Sequence, residues 1–493
     1  MTLKYKANKV YISYFIIALI ICLGLNHDII KDYSFLDAYE FIYTAGRDNN
    51  FQNIFIEHGR PLLGVWCDFL YGTVFETISQ LKWARLLATF FSVLFSTQIF
   101  SFLLKIGFKV YESVIFSILV LALPTFTVYY AWSATAQIPI LLVLNFYAGQ
   151  LLLEGFRQEK FLSLNLFKAF IIVFVSLFMY QSAVTVFLLP FVFKSVKANT
   201  FNHKTSVYYI IFTLACFLLY FVCFKLVINI NGLEASHRTS LSIFDLPVKV
   251  VKFFITELRI LIKNSGFLII PKISLLVGLV TFIGFYVLNY FKNKSLLFIS
   301  VLVFVLLFAY APNILSGQSY FSLRTIAPTA IIVLFYQFYF LRFLYLKYKN
   351  TRFILLIIPL VLLLFSSVNQ KKYVAGLQNK EYEILKAEIE LFDISSIKKI
   401  DIIRPRYGFL QKQGYLKNGF SGEFGNLSST KDWVPNHLFC QIKWEQQQNA
   451  KGKPFEVFPV KNINVYTNEK HKEFKERTSI NLIKLFNDFY KNE

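Results

Sequence analysis

The sequence predicts a mostly α-helical, polytopic membrane protein: a transmembrane helical bundle followed by a small C-terminal α+β domain. Three observations carry this expectation. Of 493 residues, 56% are hydrophobic and only 16% charged, with 57 Phe and 29 Tyr, a balance too apolar for a soluble chain of this length. The apolar residues are gathered into runs near the ~20 residues that cross hydrocarbon. From Asn369 onward those runs stop and polar residues return.

The first run is Tyr11–Leu25, preceded by Lys4, Lys6 and Lys9, which place the N-terminus in the cytoplasm. It has no small-residue cleavage site and reads as an anchor. Trp83–Leu104, Ser113–Tyr130 and Ile138–Leu153 follow. Phe167–Phe193 is too long for one upright helix and is interrupted by Tyr180-Gln181-Ser182, which predicts a hairpin of two helices with Tyr-Gln at its tip. The later runs are Tyr208–Ile228, Ile273–Phe291, Leu296–Ala311, Ile326–Leu346 and Phe353–Ser367. With the hairpin, Lys105/Lys109, Arg157/Lys160, Lys194/Lys197/Lys204, Lys292/Lys294 and Lys347/Lys349/Arg352 all fall inside. The expectation is about eleven crossings with the C-terminus outside. Lys249, Lys252, Arg259 and Lys263 come out on the external side, alternating with Val250, Val251, Phe253, Phe254, Leu258 and Ile262, which predicts an amphipathic helix lying on the outer leaflet.

The chain thus divides into a membrane unit, 1–368, whose first external loop covers 28–80, and an external unit, 369–493. In the second, Leu385, Ile389 and Phe392 have helical spacing within 380–392. Lys399–Arg404 and Phe455–Val460 read as strands and Ile480–Tyr490 as a last helix. The formal charge of +22, from 51 basic and 29 acidic residues, lies largely in short loops. That assigns it to membrane orientation and anionic lipid, with no nucleic acid as partner. Cysteines 22, 67, 216, 223 and 440 form no CxxC or Cys/His cluster, and the six histidines do not cluster, so no disulfide framework, metal site or cofactor is expected.

The residues with chemistry to offer gather at one rim. Asp37 and Glu40 lie three apart and share a face if the first loop opens with a helix. Such a carboxylate either caps that helix or takes a proton from a substrate; Asp28, Asp32, Asp48 and Glu57 lie in the same loop. Arg60 precedes Pro61, a residue suited to the first turn of a helix. Arg85 and Arg324 each begin a span, and on the expected topology all three arginines face the same external surface. Singly, each serves as an interfacial anchor; three at one level beside carboxylates form a site for a phosphate. Tyr180 and Gln181 sit at the hairpin tip, where the amide of Gln181 must pair with another helix or with a ligand.

On these residues the chain resembles the GT-C-type glycosyltransferases that use polyprenyl-phosphate sugars. Asp37 after the first span, Gly59-Arg-Pro-Leu62 and Tyr180-Gln181 resemble the serotype-converting O-antigen glucosyltransferases of bacteria and their phages. Ala84-Arg85-Leu-Leu87 is also similar to the protein mannosyltransferase and lipid A aminoarabinose transferase group. The resemblance covers roughly 10–370. It implies an inverting, multi-pass enzyme of the bacterial inner membrane that moves a hexose such as glucose from undecaprenyl phosphate to a surface glycan or lipid-linked acceptor on the outer face. Asp37 would be its catalytic acid residue. Glu40, Glu57, Arg60, Arg85, Tyr180, Gln181 and Arg324 would bind substrate. The family often has two adjacent acids where this chain has Asp37-Ala38, so one carboxylate suffices or Glu40 takes the second role. Ala131-Trp-Ser-Ala-Thr135, between the third and fourth spans, carries no acid, and no metal is expected. Two other readings are a lipid-linked glycan flippase and an O-antigen polymerase. The first would place ionisable residues near the middle of its spans and the second would place arginines in a long later loop.

Overall fold

The computed structural model describes residues 2–157, 163–239, 244–264, 273–317, 321–348, 352–392, 399–416, 423–449, 460–467 and 479–492. Each apolar run is helical. The first, α1, spans Thr2–Leu25. The loop after it holds α2 (Asp37–Thr44), α3 (Asn53–Glu57) and α4 (Pro61–Phe69). The bundle continues with α5 (Leu81–Lys105), α6 (Val110–Leu121), α7 (Pro124–Ala131), α8 (Gln137–Arg157) and α9 (Leu164–Leu177). Next come α10 (Gln181–Val184), α11 (Leu189–Ala198), α12 (His203–Ile230), α13 (Leu246–Lys252) and α14 (Leu258–Asn264). Four long helices follow: α15 (Ile273–Asn293), α16 (Leu296–Leu315), α17 (Ala327–Lys347) and α18 (Arg352–Tyr373).

Among the described residues, six helices are long and apolar enough to cross a membrane: those over Ile78–Lys105, Ser133–Phe156, His203–Ile230, Leu275–Asn293, Leu296–Leu315 and Ala327–Lys347. The pair α6 and α7 makes a seventh if it is one span, bent by 56°. Pro124 opens α7, and a residue without an N–H cannot continue the ladder of the helix before it. Lys9–Leu25 and Leu164–Leu177 are shorter apolar helices. The expected eleven crossings therefore stand as six or seven helices that meet the requirement. Lipid is the solvent that suits their outer faces. Along α12, Ile211, Leu214, Leu218, Val222, Leu226 and Ile230 are all exposed, an apolar stripe that water would penalise. The α8 helix lies deeper, and there Gly149 allows close approach: a Cβ on it would meet the Phe187 carbonyl oxygen at 2.2 Å.

The Phe167–Phe193 run breaks after α9, and Tyr180 and Gln181 sit at the break, Gln181 opening α10. The basic segment expected on the outer leaflet forms α13 and α14, joined by a π-turn over Phe253–Glu257. Its apolar face is exposed at Val248, Val251 and Ile255. Lys249 departs from the expected charged face. It is buried, and its Nζ donates to the Ser316 carbonyl at 2.6 Å.

The composition shift at Asn369 falls within α18, which runs on to Tyr373. Beyond it lies α19 (Ala375–Leu391). Then come β1 (Ile400–Ile403), α20 (Phe409–Lys412), α21 (Val434–Asn449), β2 (Ile463–Tyr466), β3 (Ser479–Asn481) and α22 (Leu482–Asn492). The sheet order is β2-β1-β3, with Ile402 opposite Val465 and Ile480. Both pairings are parallel, which requires crossover connections between the strands. Ile480, expected in the last helix, lies in β3, and that helix begins at Leu482. The expected strand at Phe455–Val460 falls on residues outside those described, except Val460, which opens a 3-10 turn.

The two units are stitched together at the loop that follows α1. Buried Glu381 of α19 accepts the N–H groups of Ser428 and Ser429 at 2.6 and 2.8 Å. Ser428 Oγ donates to Gln378 Oε1 and accepts the N–H of Leu36 at 2.9 Å. Burial pushes the Glu381 carboxyl up to about 7, above the ordinary 4.5. The folded protein then keeps a proton that the unfolded chain releases, so stability falls as pH rises from about 4.5 to about 7 and is level above. In Glu381→Gln that fall should be shallower, as read from thermal unfolding midpoints of purified protein at pH 5, 6 and 8.

Candidate functional site

The loop after α1 is fixed first. Arg85 is fully buried at the start of α5, with Nε donating to the Ile29 carbonyl, Nη1 to Tyr33 and Nη2 to Lys31, at 2.7, 2.7 and 2.6 Å. Its guanidinium lies over the Tyr33 ring, 3.9 Å from the centroid. All its nitrogens are thus engaged by the protein. Arg85, expected to bind substrate, is engaged by the loop that carries Asp37 and is not among the residues lining the cavity described next.

From that anchor the chain reaches Leu36, at φ +47°, a conformation that a branched side chain rarely adopts. Its N–H is held by Ser428. The next residue opens α2, whose buried side carries Ala38, Tyr39, Ile42 and Tyr43, leaving Asp37 and Glu40 on the other face. Leu36 holds the capping position and no side chain caps the helix, so Asp37 is not a cap.

Asp37 and Glu40 line a cavity of about 490 Å³, a volume within the range of small-molecule sites. Its wall is shared by three parts of the chain. The first loop supplies Phe35, His58 and Arg60 besides the carboxyl pair; the bundle supplies Trp132, Gln137, Tyr180, Arg238 and Arg324; the C-terminal unit supplies Tyr407, Glu423, Asn426, Lys431 and Trp433. Burial, and after it the neighbouring Asp37, push the Glu40 carboxyl up to about 7.

The same cavity is lined by guanidiniums laid on rings. Arg60 lies 4.5 Å from the Tyr180 centroid and Arg324 4.4 Å from that of Trp132. Arg324 Nε is 3.8 Å from Glu423 Oε1, a carboxylate that also accepts from the Ser322 hydroxyl and the Leu323 N–H. Burial lowers the proton affinity of Arg60, and nearby Arg324 and Arg238 lower it further, the mark of three cations sharing one space. An arginine keeps its proton regardless, so the cluster attracts an anion.

Gln181 holds Arg60 in place. Its Oε1 accepts from Arg60 Nε at 3.0 Å, while its Nε2 donates to the Gly59 carbonyl and to Tyr220 Oη at 2.9 and 2.7 Å. Of the two partners open to this amide, the structure gives it neighbouring protein, and Gln181 does not line the cavity. Glu57 likewise lies off the wall; its carbonyl accepts from Ser236 N–H and Thr239 Oγ1. Among the described residues no group of three or more His, Cys, Asp or Glu could hold a metal ion.

Of the expected site residues, Asp37, Glu40, Arg60, Tyr180 and Arg324 therefore meet in one cavity, and Glu57, Arg85 and Gln181 do not line it. Arg238, Trp132, Glu423, Lys431 and Trp433 were not anticipated. Trp132 stands in the very loop read for missing acids, where an indole beside Ser and Thr was the available signal. No protein-family model matches the chain, and no curated protein matches its sequence.

Gly59 is the pivot of this arrangement. It sits at φ +71°, and a Cβ there would meet Tyr220 Oη at 2.4 Å and Gln181 Nε2 at 3.3 Å. Gly59→Ala should therefore displace Arg60 from Gln181 and cost more ligand affinity than stability. Anion or donor binding by the variant, set beside its thermal midpoint, checks this.

Proposed function

We propose that the protein is an inverting glycosyltransferase that moves a hexose such as glucose from a polyprenyl phosphate to a glycan or lipid-linked acceptor. Its setting is the outer face of a bacterial inner membrane, with the N-terminus cytoplasmic, the C-terminal unit outside and a GT-C-like bundle of about eleven crossings. The observation that carries the reading is one cavity lined by a carboxyl pair, three guanidiniums and aromatic rings, in a chain of long apolar helices. Aromatic faces suit a sugar ring, guanidinium forks suit a phosphate, and a carboxyl with a proton affinity near neutrality suits a hydroxyl's proton.

In this reaction the acceptor hydroxyl oxygen forms a bond to the anomeric carbon from the side opposite the phosphate. The bond from that carbon to the phosphate oxygen breaks, and its electron pair leaves with polyprenyl phosphate. The hydroxyl proton passes to the Asp37 and Glu40 pair. Arg60, Arg238 and Arg324 offset the charge that develops on the leaving phosphate.

The test is release of polyprenyl phosphate when purified protein meets a panel of polyprenyl-phosphate sugars and an acceptor. Asp37→Asn should lower turnover by ~10²–10⁴ while donor binding remains. With the Glu40 carboxyl at about 7, turnover should rise with pH through that value, because the ionised form is the base, and Glu40→Gln should lose this limb. Near-normal turnover in both variants would remove the carboxyl pair from the mechanism.

Arginine and lysine should also part company here. At Arg60 and Arg324, Ala should weaken donor binding and Lys should restore it only in part, because an ammonium lacks the fork. Equal donor affinity with Lys at both positions would return these residues to an anchoring role.

A further inference from the structure

The sequence of the first loop places His58 two residues before Arg60, at the carboxyl end of α3, and the structure puts it on the cavity wall. Its ring is not free to turn. Nδ1 lies 2.5 Å from the Ile54 carbonyl oxygen, which can only accept, so Nδ1 carries the hydrogen. Burial, together with Arg60 and Arg238 nearby, holds the proton affinity of His58 below the ordinary histidine value. With the hydrogen on Nδ1 and a second proton disfavoured, Nε2, which has no hydrogen-bond partner among the described residues, presents a lone pair. In a wall rich in guanidinium donors this nitrogen can only receive a hydrogen.

What it would receive follows from Arg60. The Arg60 Nε is occupied by Gln181, and its terminal nitrogens make no hydrogen bond among the described residues, leaving the outer fork for a phosphate. The anomeric carbon is bonded directly to the phosphate's oxygen. The nearest parts of the sugar are then the ring oxygen, which has no hydrogen to give, and the substituent on the ring carbon beside the anomeric one. We propose that His58 Nε2 accepts a hydrogen bond from the hydroxyl on that neighbouring carbon and so sets which donor sugars are used. This rests on the glycosyl-transfer reading and on Arg60 as the phosphate ligand.

Two substitutions separate this role from a structural one. Asn at 58 keeps an amide at the level of Nδ1, able to bond Ile54, but offers nothing at the level of Nε2; Gln reaches the level of Nε2. Wild type, His58→Asn and His58→Gln are compared on polyprenyl-phosphate glucose and galactose and on their 2-deoxy counterparts, following release of polyprenyl phosphate. A 2-deoxy sugar is intrinsically more labile, so the quantity compared between proteins is the ratio of kcat/KM for parent over 2-deoxy donor. Wild type should favour the parent by about tenfold or more, as a site built around a hydroxyl does. That ratio should fall toward one in His58→Asn and be largely kept in His58→Gln. An unchanged ratio in His58→Asn overturns the proposal, as does an equal loss on both donors in both variants, which is the signature of a structural histidine. No release by wild type from any of the four donors would instead overturn the hexosyl-transfer reading, and the proposal with it.

Discussion

The arrangement depends on how one guanidinium is buried. Arg85 has no access to water, and its charge is met by three backbone carbonyls spread over Ile29–Tyr33. Charged groups bond more strongly than neutral ones, and three such bonds on a rigid fork leave the chain little freedom. Because Tyr33 lies only four residues before Asp37, fixing those carbonyls fixes where α2 starts. The carboxyl pair is thus positioned by a residue that never touches the cavity.

A second constraint comes from the far end of the chain. Leu36 is held in an unfavourable conformation while its N–H is bonded to Ser428, itself held by Gln378 and Glu381. Glu423 similarly joins Arg324 to the C-terminal unit. Around the membrane-facing bundle, α21 adds further ties: Gln441 Nε2 donates to the Glu76 carbonyl and Glu445 accepts the Ile78 N–H. The cavity is therefore the seam between units, and neither half would hold its wall alone.

Much of this was legible where the signal is local. Helices follow from apolar runs; the shared face of Asp37 and Glu40 follows from spacing; Pro61 announces α4, and with it the position of Arg60. Arg85 misled because an arginine opening an apolar run reads the same whether it meets lipid, ligand or carbonyls, and its carbonyls lie more than fifty residues upstream. Gln181 was open to a helix or a ligand for the same reason, since Gly59 and Tyr220 are distant in sequence. Glu423, Lys431 and Trp433 had no signal of any kind: they matter only through pairings such as Leu36 with Ser428, separated by 392 positions. The parallel sheet was equally hidden, because strand order is not written in the strands themselves.

That sheet has an outcome for how the protein can change. Tyr407, Glu423, Asn426, Lys431 and Trp433 all lie between β1 and β2, within the crossover that parallel pairing demands. A crossover has a minimum length but no fixed upper one, and lengthening a connection costs little in closure entropy. One wall of the cavity is therefore drawn from a stretch whose length the sheet does not set, and which is tied to the opposite wall only at points such as Ser428 and Glu423. The opposite wall, pinned by Arg85 and Gln181, has no such latitude. Divergence in this protein's lineage should concentrate on one side of the cavity, with the chemistry inherited on the other.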